Sequence, residues 1–430
     1  MFLNQKKFFK KIKTFFFFII ALYRFYRFKD ILDFETFEFI SIKKIFKNLK
    51  NVKNVVKKEN SWTQLFKNYK IKISSPKFLY KSKFNQGFLN EKNNGLSITN
   101  LRKETNISGS IFSHIKNCRI VNDTLLVLID KNLSLTEGYA DERWAKFQLN
   151  KWPKSHHNSK SLINLNGKKY IHKRVKVYKK NIQVKKIKQK ALYLSTREDD
   201  QVFHWTFDNL PRLYCLEKFS KLQSLPLILK NPLSKFQKET LKLLNIKNKL
   251  IFLNEKDALM DNLYFSSIPS PPVLNKHLIL WLRKKFLNNI SKKHYFDKKK
   301  FAKKIFISRN DTGHRKILNE DDLTSRLKKE GYVVYELSKL KLYEQIILFS
   351  RCEEVVMPHG AGGVHLMFVS KKAKIIEIHS PTQPNNSMYC ISQCLNNRHL
   401  IAMGNNAIND HKKNYYIEVD KFMNSYKKDF

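Results

Sequence analysis

The feature that most constrains the fold of this chain is the segment 354–366, which reads EVVMPHGAGGVHL. A short apolar run ends at a proline and a histidine, clustered glycines follow, and a second apolar stretch comes after them. This order predicts a strand, a tight turn and a helix. Glycine lets a ligand approach the backbone closely, and the first N–H groups of a helix favour phosphate. Such turns are also common in purely structural positions, so the surrounding sequence decides between the two readings.

The C-terminal part alternates short β-branched runs with amphipathic stretches of helical length. This alternation predicts an α/β fold with a parallel sheet, whose ligands bind at the carboxyl ends of the strands. The helix after Asn319 has the clearest ends, with Asn319 as candidate N-cap and Gly331 as candidate C-terminal glycine. The predicted strands are Ile305–Ser308, Tyr332–Tyr335, Val355–Met357 and Lys374–Ile378, and the predicted helices are Asn319–Glu330, Leu340–Phe349 and Gly362–Val369.

The preceding part contains further apolar runs, and the proline-rich segment Ser266–Pro272 is the clearest linker between two lobes of similar size. Its predicted strands are Leu125–Asp130, Ala191–Leu194, Leu225–Leu229 and Lys249–Leu253, and its predicted helix is Ser234–Leu244. After the linker, Leu278–Leu287 is predicted to be the helix that enters the second lobe.

Two separated groups of motifs carry a resemblance to a known family. They are Phe203–Leu213 (FHWTFDNLPRL) upstream, and downstream Ile307–Arg309 (ISR), Arg315 with Leu318–Glu320, Pro358–Gly362 (PHGAG) and Ile375–Ile378 (IIEI). In this order they resemble glycosyltransferase family 61, from about Cys118 to Met403. Gly363 and His365 depart from the usual family pattern, in which a leucine and a small or amide residue are common.

The resemblance implies a GT-B architecture, in which two Rossmann-like lobes face a cleft. We expect a basic N-terminal extension at 1–100, an acceptor lobe at 101–272 and a nucleotide-sugar lobe at 273–430. The implied reaction is an inverting transfer from a nucleotide sugar, expected to be UDP-linked, to a glycan or lipid-linked glycan, without a cofactor or metal. The chain agrees in having no Asp-x-Asp pair of the kind that holds a metal on a diphosphate.

The donor-side candidates follow the predicted strands. The guanidinium of Arg309 suits phosphate oxygens, and Arg315 and His314 lie on a loop that can reach the same group. Glu377 ends the next strand, where an acid can accept from ribose hydroxyls. A solvated arginine and an exposed strand-end carboxylate are the alternatives. The remaining donor-site residues are His359, Gly360, Ala361 and Gly362.

An inverting transfer needs a base for the acceptor hydroxyl, and Asp208 is the first candidate. His204, Asp208 and Arg212 are spaced by four, which places them on one helical face, with Arg212 in a supporting role. A structural salt bridge between Asp208 and Arg212 is the alternative. His204 and His359 are competing bases.

A formal net charge of +47 favours anionic partners. The excess is mostly lysine spread over the whole chain, whereas nucleic-acid binders concentrate their arginine and aromatic residues, so we expect no specific nucleic acid. Residues Phe15–Tyr23 form a short apolar core between basic flanks, which favours a helix in the membrane interface. A helix packed on the protein itself and a short signal-anchor remain open. The scattered cysteines favour free thiols in a reducing compartment.

These patterns predict a glycosyltransferase on the cytoplasmic face of a bacterial inner membrane, peripheral to it and engaged in capsule or other surface polysaccharide synthesis. The alternatives are a non-catalytic member of the same fold that binds a nucleotide or polyanion, and a basic nucleic-acid-binding protein.

Overall fold

A computed structural model provides the structure. It describes residues 33–40, 61–65, 69–72, 77–80, 104–107, 111–121, 126–130, 133–135, 160–165, 168–173, 175–179, 184–196, 199–254, 257–267, 275–293, 301–381, 385–406 and 413–429. The predicted interfacial segment Phe15–Tyr23 and the linker beyond Ser267 lie outside these residues. Within them, no helix is both long and apolar enough to cross a bilayer.

The strands divide between two large sheets and three small pairs. In chain order they are β1 (Asp33–Ile40), β2 (Ser61–Gln64), β3 (Tyr69–Lys72), β4 (Lys77–Tyr80), β5 (Glu104–Ile107), β6 (Ile111–Val121), β7 (Leu126–Asp130), β8 (Leu133–Leu135), β9 (Lys160–Leu165), β10 (Lys168–Lys173), β11 (Val175–Lys179), β12 (Val184–Ile187), β13 (Ala191–Tyr193), β14 (Leu227–Leu229), β15 (Leu250–Phe252), β16 (Asp257–Ser266), β17 (Lys304–Ser308), β18 (Val333–Glu336), β19 (Glu354–Pro358), β20 (Lys374–His379), β21 (Arg398–Met403), β22 (Asn405–Asn406) and β23 (Tyr415–Tyr416).

The α-helices cover the sheets and connect them. They are α1 (Val202–His204), α2 (Tyr214–Lys218), α3 (Lys235–Leu243), α4 (Lys276–Lys293), α5 (Glu320–Lys329), α6 (Leu342–Arg351), α7 (Ser387–Cys394) and α8 (Val419–Asp429). A π-helix spans Trp205–Asn209, and 3₁₀-helices span Leu210–Leu213, Ser220–Leu222, Leu337–Lys339 and Ala361–Phe368.

The C-terminal sheet has six parallel strands in the order β18-β17-β19-β20-β21-β4. The predicted parallel α/β arrangement is therefore confirmed. Strand order reverses at β17, which has β18 on one side and β19 on the other. Such a switch point leaves a crevice at the carboxyl ends of the two central strands, where ligands of α/β sheets bind. Here that crevice is bordered by the residues after β17 and after β19.

Two local predictions in this sheet need correction, and one is confirmed. Asn319 precedes α5, but its side chain does not cap the helix; it exchanges two hydrogen bonds with the backbone of Ile417 instead. The helix predicted at Gly362–Val369 is a 3₁₀-helix, because glycines disfavour the α-helix and the turn closes early, through a bond from Gly363 N to Gly360 O. Gly331 does end α5, with a φ of 85°.

The N-terminal sheet has eleven strands and is mixed. Strands β16, β13, β14 and β15 are parallel, whereas β16 and β6, and β6 and β7, are antiparallel. The expectation of a Rossmann-like lobe is thus met only in the parallel part, which also contains the predicted helix α3.

The two sheets share one hydrophobic core. Trp205 and Leu241 from the first half pack in the same buried cluster as Ile305, Val355 and Leu366 from the second. Contacts between α3 and α6, and between α1 and the 3₁₀-helix after β19, join the halves directly. Helix α4 also ties them together, because Arg283 donates to the carbonyls of Met367 and Val369.

Candidate functional site

The crevice at the switch point is formed by Arg309 and Gly360. Arg309 follows β17 and is only 8% exposed. A Cβ on Gly360 would lie 1.7 Å from Nη1 of Arg309 and 2.9 Å from its Cζ. The guanidinium therefore occupies the space that a side chain at position 360 would need, and the glycine fixes the place of the cation. The sequence analysis named both residues, and the structure brings them together.

The loop after Arg309 adds further cationic groups. Thr312 donates to the carbonyl of Arg309 through both its backbone N–H and its hydroxyl, which bends the loop back. Nη2 of Arg309 then reaches the carbonyl of His314 at 3.4 Å. Burial, followed by the charge of Arg315, lowers the pKa of Arg309. Burial also lowers the pKa of His314, and the charges of Arg315 and Arg309 lower it further. Mutual repulsion of this kind stores electrostatic energy that a bound anion would release.

Glu320 holds the turn that presents Arg309. Its Oε1 accepts from the hydroxyl of Ser308 and, at 3.0 Å, from the side-chain amide of Asn310. The carboxyl is buried, and burial raises its pKa. Sequence reasoning did not assign this residue a role, although it belongs to the motif that carries the family resemblance.

His359 is fixed from behind by Glu377. Nδ1 of His359 donates to Oε1 of Glu377 at 2.6 Å, which leaves Nε2 as the nitrogen for other partners. The ring also stacks on His379, with 4.7 Å between centroids. Burial lowers the pKa of His359, and the charge of Glu377 partly opposes that effect.

Glu377 lies beneath the site rather than on its surface. The residue is fully buried, and Nε2 of His379 and Nε2 of His399 each lie 3.2 Å from its Oε2. Burial would raise the pKa of this carboxyl, but the charges of His379 and His359 outweigh it and hold the pKa well below the usual range. The sequence analysis predicted that this carboxylate accepts from ribose hydroxyls. Because it is buried among the imidazoles of three histidines, that contact does not fit its position.

His379 and His399 follow from strand geometry. Glu377 and His379 are two residues apart on β20 and so share a face of the sheet. His399 is paired with Ile375, which lies on the same face of β20. The alternation along β20 could have identified His379, but the register that places His399 depends on a pairing that sequence alone does not specify.

In the upstream motif, His204 and Asp208 form a dyad. Nδ1 of His204 donates to Oδ2 of Asp208 at 2.6 Å, and Oδ1 of Asp208 has no hydrogen-bond partner among the described residues. The imidazole is the more exposed of the two, at 20% against 8% for the carboxylate. Spacing by four correctly brought these two together, even though the segment is partly π-helical. Trp205 anchors it through a 2.7 Å bond from Nε1 to Oγ1 of Thr240.

Arg212 lies deeper in the first half. It is 1% exposed, and its guanidinium carbon sits 4.8 Å from the centre of the Phe265 ring. Its charge also lowers the pKa of the buried Tyr193, against the larger effect of burial. Pro211 falls in the first turn of the 3₁₀-helix Leu210–Leu213.

The two departures from the family pattern are explained by packing. A Cβ on Gly363 would lie 2.5 Å from Sδ of Met388, so the glycine makes room for that side chain. His365 is buried between Phe349 and Phe368, and burial lowers its pKa to about 4. Both residues thus pack into the core under the glycine turn.

The donor-side and base-side candidates come from opposite halves of the chain but adjoin each other. Helix α1, which ends at His204, contacts the 3₁₀-helix that begins at Ala361. The His204–Asp208 dyad and the glycine turn are thus neighbouring elements. Together they offer an anion-binding crevice beside a histidine–carboxylate pair, which suits displacement of a phosphate-bearing leaving group by a deprotonated nucleophile.

Residues 202–376 match the family described as Glycosyltransferase 61. No curated protein matches the chain. The matched range begins at the first residue of α1 and ends one residue before Glu377, so it contains both the dyad and the crevice. It is shorter than the 118–403 expected from the motifs. Over residues 202–376 this chain is therefore similar to glycosyltransferase family 61, the family that its motifs resemble.

Proposed function

We propose that this protein is an inverting glycosyltransferase whose C-terminal half binds the diphosphate of a nucleotide sugar in the crevice that Arg309 and Gly360 border. The observation that supports this most is that two arginines of the site have buried side-chain nitrogens without a hydrogen-bond partner among the described residues. These nitrogens are Nε of Arg309 and Nε of Arg315. Buried polar groups are normally paired, and a guanidinium pairs well with phosphate oxygens. A diphosphate would satisfy these donors and relieve the repulsion between the two cations.

The His204–Asp208 dyad is proposed to supply the base. His204 is the more exposed partner, so its imidazole takes the proton of the acceptor hydroxyl while Asp208 fixes the ring and stabilises the imidazolium. The sequence analysis gave the base role first to Asp208, and this geometry favours the pair acting together. The acceptor oxygen forms a bond to the anomeric carbon as the bond from that carbon to the diphosphate oxygen breaks. The electron pair leaves on the diphosphate, and the configuration inverts.

The leaving group is proposed to need no metal. Its negative charge would be neutralised by Arg309 and Arg315, with backbone N–H groups of Gly360, Ala361 and Gly362 available beside them. His359, oriented by Glu377, would contact the sugar or the diphosphate through Nε2. We expect the nucleotide to be UDP and no separate cofactor to take part.

The setting of the reaction is proposed from the resemblance and the charge. The acceptor would be a glycan or lipid-linked glycan bound by the first half in a GT-B arrangement, with the domain boundaries given above. A net charge of +47 would draw the chain to an anionic membrane surface. A peripheral enzyme of surface polysaccharide synthesis at the cytoplasmic face fits both. The non-catalytic alternative rested on Gly363 and His365, and it loses weight because packing against Met388, Phe349 and Phe368 accounts for both residues.

Calorimetric titration with UDP, GDP and CMP, in EDTA, tests the donor site. We expect saturable binding of one nucleotide that weakens at least about tenfold in Arg309→Ala, since a charge-assisted pair is lost. The control is Arg326→Ala, an exposed arginine paired with Asp420 at 3.0 Å. Equal affinity in wild type and Arg309→Ala would remove the crevice from donor binding.

Product analysis tests the reaction itself. Incubation with the nucleotide sugar that binds and a panel of acceptors should give a product whose anomeric configuration, read by NMR, is opposite to that of the donor. Retention of configuration would contradict the proposed single displacement.

A further inference from the structure

A buried cluster of imidazoles surrounds Glu377, behind the glycine turn. The side chains of Glu377, His379 and His399 all have zero exposure. Oε1 of the carboxylate is 2.6 Å from Nδ1 of His359, and Oε2 is 3.2 Å from Nε2 of both His379 and His399. One ligand atom each from His359, Glu377 and His379 lies within 4.8 Å of the other two. Four metal-binding side chains therefore converge on one water-excluded point.

Hydrogen bonding accounts for only part of this arrangement. Oε1 of Glu377 accepts from His359, but Oε2 of Glu377, both ring nitrogens of His379 and Nε2 of His399 have no well-aligned hydrogen-bond partner among the described residues. The contacts at Oε2 are ion-pair contacts of 3.2 Å. Each buried polar atom left unpaired costs about 1–3 kcal/mol. Four unpaired polar atoms in one place indicate a missing partner that accepts lone pairs, as a metal ion does.

The separations fit a metal ion. Zinc binds imidazole nitrogen at about 2.0–2.1 Å and carboxylate oxygen at about 2.0–2.2 Å in tetrahedral sites, so two ligand atoms on one ion lie about 3.3 Å apart. The distance from Oε2 of Glu377 to Nε2 of His379 is 3.2 Å. We propose that Glu377 and His379 hold a divalent transition metal ion, with His359 as third ligand once its Nδ1 moves from 2.6 Å to about 3.3 Å from the carboxylate.

The donor set selects the class of ion. Imidazole nitrogen suits zinc and its neighbours in the transition series, whereas magnesium and calcium prefer oxygen ligands and water. A second layer is also present, because Nδ1 of His399 lies 2.8 Å from Oγ of Ser392, which orients the ring whose Nε2 faces Glu377.

The ion would have a structural role and would take no direct part in the transfer of the sugar. It would lock the ring of His359 from behind, while the diphosphate charge would still fall to Arg309 and Arg315. His359 takes part in both sites, through Nδ1 here and through Nε2 in the donor site, whereas Arg309 and Arg315 belong to the donor crevice alone. Metal binding and nucleotide binding can therefore be measured separately.

Metal content and cobalt titration of the untagged full-length protein test the site. We expect one zinc per chain by mass spectrometry after purification without chelator. After zinc removal, stoichiometric binding of Co²⁺ should give the absorption bands of a four-coordinate site. His379→Ala should weaken Co²⁺ binding by about 10–100-fold or more. His365→Ala is the matched control, since His365 is another buried histidine of the same half with an unpartnered Nδ1.

Each result of these metal-binding measurements either supports the proposal or overturns it. Wild-type protein that takes up neither zinc nor cobalt stoichiometrically overturns the proposal, whatever the variants do. Unchanged cobalt affinity in His379→Ala also overturns it. If His379→Ala fails to fold, Glu377→Gln, which removes the charge but keeps the shape, replaces it with the same expected loss. Nucleotide binding is measured separately, so a metal-free protein that binds UDP would overturn this site and leave the donor site standing.

Discussion

Position 360 has to be a glycine because the guanidinium of Arg309 lies where a side chain would be. The Arg309 guanidinium fills the volume in which a Cβ would stand, and the backbone of Gly360 is extended, with φ at 171°, so no unusual dihedral is involved. The role of this glycine is therefore steric. Sequence reasoning singled out the glycines of this turn because they let a ligand approach the backbone closely, and in the structure the group that approaches Gly360 is a side chain of the protein itself.

Gly360→Ala should displace Arg309 without changing any charge. The added methyl would lie 1.7 Å from Nη1, so the guanidinium must move, and nucleotide affinity should fall about tenfold. Gly313→Ala is the control, because a Cβ there meets no atom within 4 Å. Calorimetric titration of both variants checks this. Equal losses in the two would indicate a general effect of loop glycines instead.

Asp208→Asn should separate chemistry from binding. An amide cannot stabilise the His204 imidazolium or hold the ring in the same tautomer, so turnover should fall by about 10²–10⁴-fold while nucleotide affinity stays near wild type. Asp200→Asn changes an exposed aspartate just upstream and should be neutral. Steady-state rates with saturating donor provide the measurement. Near-normal turnover of Asp208→Asn would take the dyad out of the mechanism.

His365 should make the protein sensitive to mild acid. Burial lowers its folded-state pKa to about 4, whereas an unfolded histidine titrates near 6.5. The unfolded chain therefore binds this proton first, and stability should fall as pH drops from about 6.5 to about 4, by roughly 3 kcal/mol in total. His365→Phe should flatten this decline in denaturant unfolding measured across that range. His277→Phe, at an exposed histidine, is the control, and an unchanged slope in His365→Phe would contradict the assignment.

At the scale of elements, hydrophobic periodicity predicted the positions of strands and helices better than the sequence predicted where they end. The apolar runs identified β17, β19 and β20 because strands buried on both faces must be continuously apolar, and the same pattern identified the edge strand β18 although it is partly exposed. Helix termini were harder to predict, since Asn319 bonds to Ile417, a partner distant in sequence. The glycine turn was assigned to the correct place, but no local pattern reveals that Gly362 packs against Leu337 and Gly363 against Met388. Cross-strand partners such as His399 were missed for the same reason.

The end of α5 was predictable because one residue determines it. Gly331 takes a φ of 85°, its N–H bonds to the carbonyl of Lys328, and the N–H of Tyr332 bonds to that of Leu327. These two bonds form the motif that closes many helices on a left-handed glycine.

Gly331→Ala should destabilise the fold by about 1–2 kcal/mol, since a left-handed conformation strains any residue with a Cβ. The strain is confined to the backbone, because the new Cβ would lie 4.0 Å from the nearest side-chain atom outside its neighbours, Cδ of Lys304. Urea unfolding of Gly331→Ala and of Gly313→Ala measures the difference. Equal midpoints for the variant and wild type would show that the glycine is not needed there. Nucleotide affinity should not change.

At the scale of the whole molecule, one buried cluster joins the two sheets, and each sheet also packs on a cluster of its own. Trp205 and Leu366 belong to the same buried cluster, and Arg283 in α4 ties the glycine turn to the chain that precedes it. We therefore expect a single cooperative unfolding transition over the described residues. The proposed domain boundaries divide the chain along its sequence, but residues from both sides of the boundary pack in the same buried cluster.

The overall charge should govern attachment to membranes. The lysine excess should bind the full-length protein to vesicles with anionic lipids in about 0.1 M salt and release it by about 1 M salt, where screening acts over only about 3 Å. Vesicle sedimentation measures this, with zwitterionic vesicles as the control. Binding that survives high salt would contradict a purely electrostatic attachment and point to the apolar segment Phe15–Tyr23.

The last strand of the C-terminal sheet comes from the beginning of the chain. β4 pairs in parallel with β21, and Leu79 is buried in the core on that side. On the ribosome, β4 is therefore made early and must wait for a partner that is synthesised near the end, so completion of this sheet depends on a contact of very long range. A shortened protein that starts at residue 101 would expose β21 as an open edge, and such edges recruit other chains. Truncations intended to isolate the catalytic region should for this reason keep residues 77–80.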